Sequence, residues 1–180
     1  MRILHTVMGV AALAAASSLV FVPPASAIDL GGLAKKAVGA GGDAARDKAV
    51  KEMNAKLLAE GRKNQCSFKS DSDVLAPGCD AKLKKLADAL VDAKSKLTQA
   101  GVAAYKFEVS GHTDSRGKAD HNKELSGKRA AVIAKELVKR GVPEKDIISI
   151  GMGSERPLVT PDTTPAKQAK NRRYEIQVRL

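Results

Sequence analysis

Apolar residues first recur at helical spacing, in Leu83, Leu86, Leu90 and Leu97, and then alternate with polar ones, in Tyr105, Phe107 and Val109. That change of period, from 3.6 to 2, restricts the fold more than any other feature of the chain. The change then repeats. A second helical pattern runs from about Ala119 to Arg140, Asp146-Ile147-Ile148-Ser149-Ile150 reads as a short strand, and Tyr174, Ile176, Val178 and Leu180 alternate in a last one. Punctuation agrees with the pattern: Asp80 is placed to cap the first helix and Gly101 to end it. Lys139 and Arg140 suit the C-terminal dipole of the second, and Gly141-Val142-Pro143 stop it. With Ser67-Phe68-Lys69 as a weak first strand, the order βαβαβ and a final β predicts a small α/β sandwich with helices on one face of a sheet.

The first residues are of another kind. Arg2 precedes an apolar run from Met8 to Val22, Pro23-Pro24 end it, and Ala25-Ser26-Ala27 has the small-x-small form of a cleavage site. Residues 1–27 are therefore expected to be a signal peptide cut after Ala27, since the run falls short of the roughly 20 apolar residues of a membrane span. Ile28, and not a cysteine that could carry a lipid, stands directly after the cut, and the mature chain is expected to be exported and soluble. Residues 28–63, rich in Ala, Gly and Lys, are expected to be a helical or linker segment. Gly39-Ala40-Gly41-Gly42 should break it, after which Asp43 caps a helix with Val50, Met53 and Leu57 on one stripe and Gly61 as its stop. Docking on the domain, pairing with a partner and acting as a spacer are all open for it. The domain proper is expected over 64–180.

The formal net charge is +11, which favours an anionic partner: nucleic acid, anionic lipid or an acidic polymer. Nucleic acid fits poorly, because the mature chain has only Phe68, Tyr105, Phe107 and Tyr174 to stack on bases. Cys66 and Cys79, an even count in an exported chain, read as one disulfide. Closing a loop of about 14 residues would stabilise by roughly 3 kcal/mol.

One helix carries a charge where its pattern wants an apolar residue. Leu125, Val132 and Ile133 set the inward stripe of the second helix, and Arg129 points along it, with Asn122 two turns earlier. A guanidinium half-removed from water needs a carboxylate or several carbonyls, and its planar fork suits a carboxylate in two parallel hydrogen bonds. Asp114 ends the preceding strand, in Gly111-His112-Thr113-Asp114, where the loop enters this helix. Two readings follow. Asp114 and Arg129 form an internal salt bridge, or they hold a zwitterion, with Arg129 on its carboxylate and Asp114 on its ammonium. Zinc chemistry has little support: His112, Asp114 and His121 cluster, but no third firm ligand or general base accompanies them. No Ser-His-Asp or Cys-His arrangement is apparent. Neither an enzyme, a metal nor a cofactor is expected.

Gly111-His112-Thr113-Asp114, then Asn122-x-x-Leu125-Ser126-x-x-Arg129-Ala130, then Gly141-Val142 closely resemble the OmpA-like C-terminal domain of peptidoglycan-associated proteins. Gly151-Met152-Gly153-Ser154-Glu155-Arg156-Pro157 and Asn171-Arg172-Arg173 extend the likeness to the last strand. The resemblance implies a βαβαββ sandwich with a mixed sheet, and non-covalent binding of peptidoglycan through the diaminopimelate of its stem peptide. Carried over by position, Asp114 meets the amino group and Arg129 the carboxylate, Asn122, Leu125 and Thr113 line the pocket, and Arg172 contributes nearby. Lys167-Gln168-Ala169 stands where the family often has Gly-Arg-Ala, and the segment between the two cysteines is unusual. The resemblance implies a periplasmic module, associated with the outer membrane. The competing reading is an interaction module that engages an envelope protein through the N-terminal helix, with Asp114–Arg129 a structural pair. Attraction of the basic surface to acidic envelope polymers is a third reading.

Overall fold

The structure, a computed structural model, describes residues 30–180, with side chains from Gly42 onward; the expected signal peptide lies outside the described residues. A single helix, α1 (Leu30–Lys63), runs through Gly39-Ala40-Gly41-Gly42 and past Gly61, both of which were expected to interrupt it. Each glycine weakens a helix by about 1 kcal/mol but leaves its hydrogen-bond ladder intact. Packing of Met53 and Leu57, 6% and 2% exposed, holds the second half of α1 on the domain. Asp43 is therefore interior to the helix and pairs with Arg46 at 3.1 Å rather than capping.

Three strands form a mixed sheet in the order β2-β1-β3. The central β1 (Lys106–Gly111) runs parallel to β2 (Ile147–Gly151) and antiparallel to β3 (Tyr174–Arg179). The outer edge of β3 is covered by α1 and the residues after it. Asn54 donates to the Val178 carbonyl at 3.3 Å and accepts its N–H at 2.6 Å, and Gln65 does the same for Tyr174 at 2.8 and 3.2 Å. Two amide side chains thus act as a neighbouring strand would, which blunts an edge otherwise open to pairing. Of the three roles open to this helix, docking on its own domain is the one observed. Ser67-Phe68-Lys69 does not enter the sheet. It closes on its own loop, with one antiparallel bridge between Phe68 and Leu75 and a bond from the Lys69 N–H to the Val74 carbonyl.

Helix α2 (Asp80–Gln99) buries Leu83, Leu86, Ala87, Leu90, Ala93 and Leu97. Asp80 is its first residue and not its cap; the carboxylate binds Arg140 at 2.7 Å. Helix α3 (Ala119–Lys139) buries Asn122, Ser126, Ala130, Ile133, Ala134 and Leu137. The buried stripe is therefore turned by about one residue from the expected one, and Leu125, Arg129 and Val132 fall on its half-buried shoulder. Close approach to the sheet sets that rotation. A Cβ at Gly111 would lie 2.2 Å from the Ser126 carbonyl oxygen, and one at Gly151 would lie 2.4 Å from that of Lys123. Only glycine lets α3 sit here, and the contact fixes its first turns beside the end of β1. A short helix absent from the expected pattern, α4 (Pro165–Asn171), precedes β3; Thr164 caps it, accepting the Lys167 N–H at 3.4 Å, with Pro165 at its first position.

Candidate functional site

A cavity of about 1040 Å³ opens where the end of β1, the start of α3, the loop after α1 and the end of α4 meet. All six expected binding residues, Thr113, Asp114, Asn122, Leu125, Arg129 and Arg172, line it. Geometry is set first by the turn out of β1. The Thr113 N–H bonds to the Gly153 carbonyl at 2.8 Å, and Asn122 donates to the Arg116 carbonyl at 2.8 Å, tying the loop to the first turn of α3. Asn122 is thus a positioning residue for Asp114 as well as part of the lining. Leu125 supplies the half-buried apolar side.

Asp114 and Arg129 do not pair with each other. Asp114, 7% exposed, receives Arg172 at 2.6 Å on one carboxylate oxygen and the Arg116 N–H at 3.1 Å on the other, with the Arg116 guanidinium at 3.5 Å. Burial alone would push its carboxyl up, but the bonds from Arg172 and Arg116 outweigh burial and hold it below its ordinary value. Arg129 is held by the loop after α1 instead. Its Nε donates to the Ser72 carbonyl at 2.8 Å, one terminal nitrogen donates to that of Lys69 at 3.3 Å, and its carbon lies 5.1 Å from the centre of the Phe68 ring. Burial lowers its affinity for the proton, although a guanidinium keeps its charge at any ordinary pH. The internal salt bridge, one of the two readings, is absent: Arg172, at the end of α4, pairs with Asp114, and backbone carbonyls orient Arg129 away from it.

Sequence reasoning missed Ser115 and Asp162 and saw Asn171 only as part of a motif, although these residues build the arrangement. Asp162 accepts from the Ser115 hydroxyl and, at 3.0 Å, from its N–H, and it takes Asn171 at 2.9 Å. Those bonds, led by the Ser115 hydroxyl and then Asn171, hold its carboxyl down at about 2. Asn171 also accepts the N–H groups of Leu158 and Val159 at 2.8 and 3.1 Å. This cluster carries Arg172 onto Asp114. Thr164-Pro165, a cap followed by proline, was the signal that could have located α4. Phe68 was visible only as part of a weak strand.

Cys66 and Cys79 are both free thiols, not the expected disulfide, and both are buried. The Cys66 sulfur lies 3.9 Å from the Cys79 carbonyl oxygen, and burial, then Cys79 itself, raises its thiol to about 12. In this state the pair behaves as small core residues. His121 is exposed and bonds Asp71 at 2.7 Å, whereas His112 is 3% exposed. Among the described residues no three His, Cys, Asp or Glu side chains are grouped to hold a metal ion, and no helix is long and apolar enough to cross a membrane.

The sequence model of the OmpA family matches residues 67–172. Outer membrane porin F of Pseudomonas fluorescens is 38% identical over 111 residues, 62% of this chain and 31% of that protein. The peptidoglycan-binding protein ArfA of Mycobacterium tuberculosis is 41% identical over 73 residues, 41% of this chain and 22% of its own. The chain thus spans less than a third of the length of these relatives. Among solved structures, the peptidoglycan-associated lipoprotein of Burkholderia pseudomallei superposes with a TM-score of 0.50 at 25% identity, covering 63% of this chain and 86% of that one.

Proposed function

Since this chain belongs to the OmpA family, we propose that it binds peptidoglycan non-covalently, through the diaminopimelate of the stem peptide, and so helps anchor or organise the cell envelope from the periplasm. The observation that carries the reading is Arg129. A half-buried guanidinium faces a cavity it shares with Asp114, and among the described residues no carboxylate lies within salt-bridge distance of it. Carbonyls orient it and Asp71, Asp114 and Asp73 act on its charge only from beyond pairing distance, so a carboxylate from outside the chain completes it in direct contact. Asp114 receives the ammonium. A carboxylate has about four acceptor positions, and Arg172 and Arg116 do not fill them all. Thr113, whose buried hydroxyl lacks a partner, together with Asn122 and Leu125, shapes the wall between the two charges.

Support also comes from the relatives, one named for peptidoglycan binding and one for peptidoglycan association. In an oxidising compartment a disulfide-bearing oxidant would take two electrons and two protons from Cys66 and Cys79, which lie together at the base of the loop that holds Arg129, and join their sulfurs; an intact mass two hydrogens lighter without reductant reads this directly. The deciding experiment titrates the protein with a diaminopimelate-containing stem peptide by calorimetry, alongside Arg129→Ala and Asp114→Ala, with circular dichroism to check the fold. Binding by the parent, lost in both folded variants, is the expected result. A folded parent that ignores the peptide sinks the proposal.

A further inference from the structure

The cavity is larger, and more positive, than a single diaminopimelate needs. It reaches from the start of α3 to the last turn of α1, at Arg62, and the end of α4, at Lys170. At about 1040 Å³ it has the size of pockets that enclose whole drug-sized ligands, roughly 300–1,000 Å³. One amino-acid side chain fills a fraction of it.

Charge says what the remainder is for. The carboxylates that line the cavity are Asp71, Asp114 and Glu175, and each already has a cation or a histidine: Asp71 has His121 at 2.7 Å, Asp114 has Arg172 at 2.6 Å and Glu175 has Arg173 at 2.7 Å. Arg62 and Lys170 line the same cavity, and among the described residues no carboxylate pairs with either. His112 adds a separate observation. It lines the cavity with its side chain 2% exposed, neither ring nitrogen has a hydrogen-bond partner, and the Glu175 carboxylate is 3.9 Å away. Burial, then the neighbouring Arg173, lowers its proton affinity to about 4, so the ring is neutral near pH 7 with one donor and one acceptor to offer. A buried polar side chain without partners is uncommon in a finished structure.

We infer that the cavity holds a second anionic group of the same ligand, the terminal carboxylate of an uncross-linked stem peptide, against Arg62 and Lys170, with His112 bonding the peptide backbone between the two ends. The inference rests on the wall-binding reading and deepens it: the preferred ligand is a free stem and not one whose terminal carboxylate is consumed in a cross-link. Two carboxylates held at separate points fix the direction in which the peptide lies.

The test compares a diaminopimelate-containing stem peptide ending in a free carboxylate with the same peptide ending in an amide, by calorimetry at fixed ionic strength. The parent is expected to bind the amide about tenfold more weakly, the loss of one charge-assisted contact at an exposed rim. Arg62→Gln combined with Lys170→Gln, both exposed positions, is expected to bind acid and amide alike while still losing both with Arg129→Gln. Nitrogen NMR of the His112 ring is expected to shift when either peptide binds. Equal affinity of the parent for acid and amide overturns the second site and leaves diaminopimelate binding standing, as does a preference for acid that survives in the double variant. Failure of both peptides to bind the parent overturns the wall-binding reading itself.

Discussion

Asp114 and Arg129 line one cavity, carry opposite charges and are in opposite states. Asp114 has its counter-charge within the chain, Arg172 at 2.6 Å, and accepts the Arg116 N–H at 3.1 Å. Arg129 has neutral carbonyls and the face of Phe68, and among the described residues no carboxylate within salt-bridge distance, Asp71, Asp114 and Asp73 acting on it only from farther away. A buried charge with a partner belongs to the fold, and removing the partner costs stability. A half-buried charge oriented by dipoles alone is fixed in direction and free in charge, the state of a group prepared for a ligand. The contrast predicts that mutations at the two ends separate binding from stability.

The largest effect is expected at Arg129. On the proposed reading Arg129→Ala removes a charge-assisted contact to the stem peptide, whose binding is expected to fall about hundredfold, in line with the roughly 2–5 kcal/mol such truncations cost. Its thermal midpoint is expected to stay close to the parent's, because the lost partners are carbonyls near water. Arg129→Lys keeps the charge without the fork and is expected to recover part of the affinity. A large fall in the thermal midpoint of Arg129→Ala would erase the distinction between the two ends.

Arg172 should behave the other way. Arg172→Ala strands a carboxylate that is 7% exposed, with Arg116 as its remaining cation. Loss of a fully buried partner costs about 3–5 kcal/mol, and Arg172 is half in solvent, so roughly 2 kcal/mol is expected. Urea unfolding measures it, and stem-peptide affinity is expected to drop less than in Arg129→Ala.

Acid sharpens the same contrast. Asp114 and Asp162 are both held below their ordinary values, so each contributes stability that is complete above its unfolded value, near 3.8, and is lost as pH falls through its folded one. For Asp162 that window runs from 3.8 down to about 2. Stability against urea is expected to decline over this range, and Asp162→Asn is expected to flatten the decline. Arg129 does not titrate there, so acid should loosen the Asp114 end and leave the Arg129 charge in place.

How far this was legible in the sequence depends on how local each signal is. The helical spacing of Leu83 to Leu97 and the alternation at Phe107 and Val109 report on their own backbone, and helices and strands stand where those patterns put them. Gly111-His112-Thr113-Asp114 and Arg129 could be assigned to one cavity because α3 directly follows β1. Their partners could not. Arg172 is 58 residues from Asp114 and Ser72 is 57 from Arg129, and no period or turn rule spans such distances. The glycines of α1 misled for a related reason. Propensity describes an isolated helix, and at Gly61 the packing of Met53 and Leu57 on the preceding turns overrides it. Rotation of α3 by one residue came from the glycine contacts of Gly111 and Gly151, which a hydrophobic pattern does not record.

The smallest effect is expected at Phe68, and it distinguishes two ways of holding Arg129. If the two carbonyls alone orient the guanidinium, Phe68→Leu keeps the half-buried wall and changes nothing at Arg129. The ring centre lies 5.1 Å from the guanidinium carbon, within the roughly 6 Å over which an aromatic face attracts a cation. Such a contact is worth about 0.5–1 kcal/mol at a partly exposed site. Phe68→Leu is therefore expected to weaken stem-peptide binding about two- to fivefold, with stability nearly unchanged, while Phe68→Tyr keeps the ring and the affinity. Combining Phe68→Leu with Arg129→Ala should add nothing to the loss from Arg129→Ala alone, since the ring acts through that one charge. Additive losses would mean that Phe68 touches the ligand directly, and the loop after α1 would then belong to the binding surface and not only to the holder of Arg129.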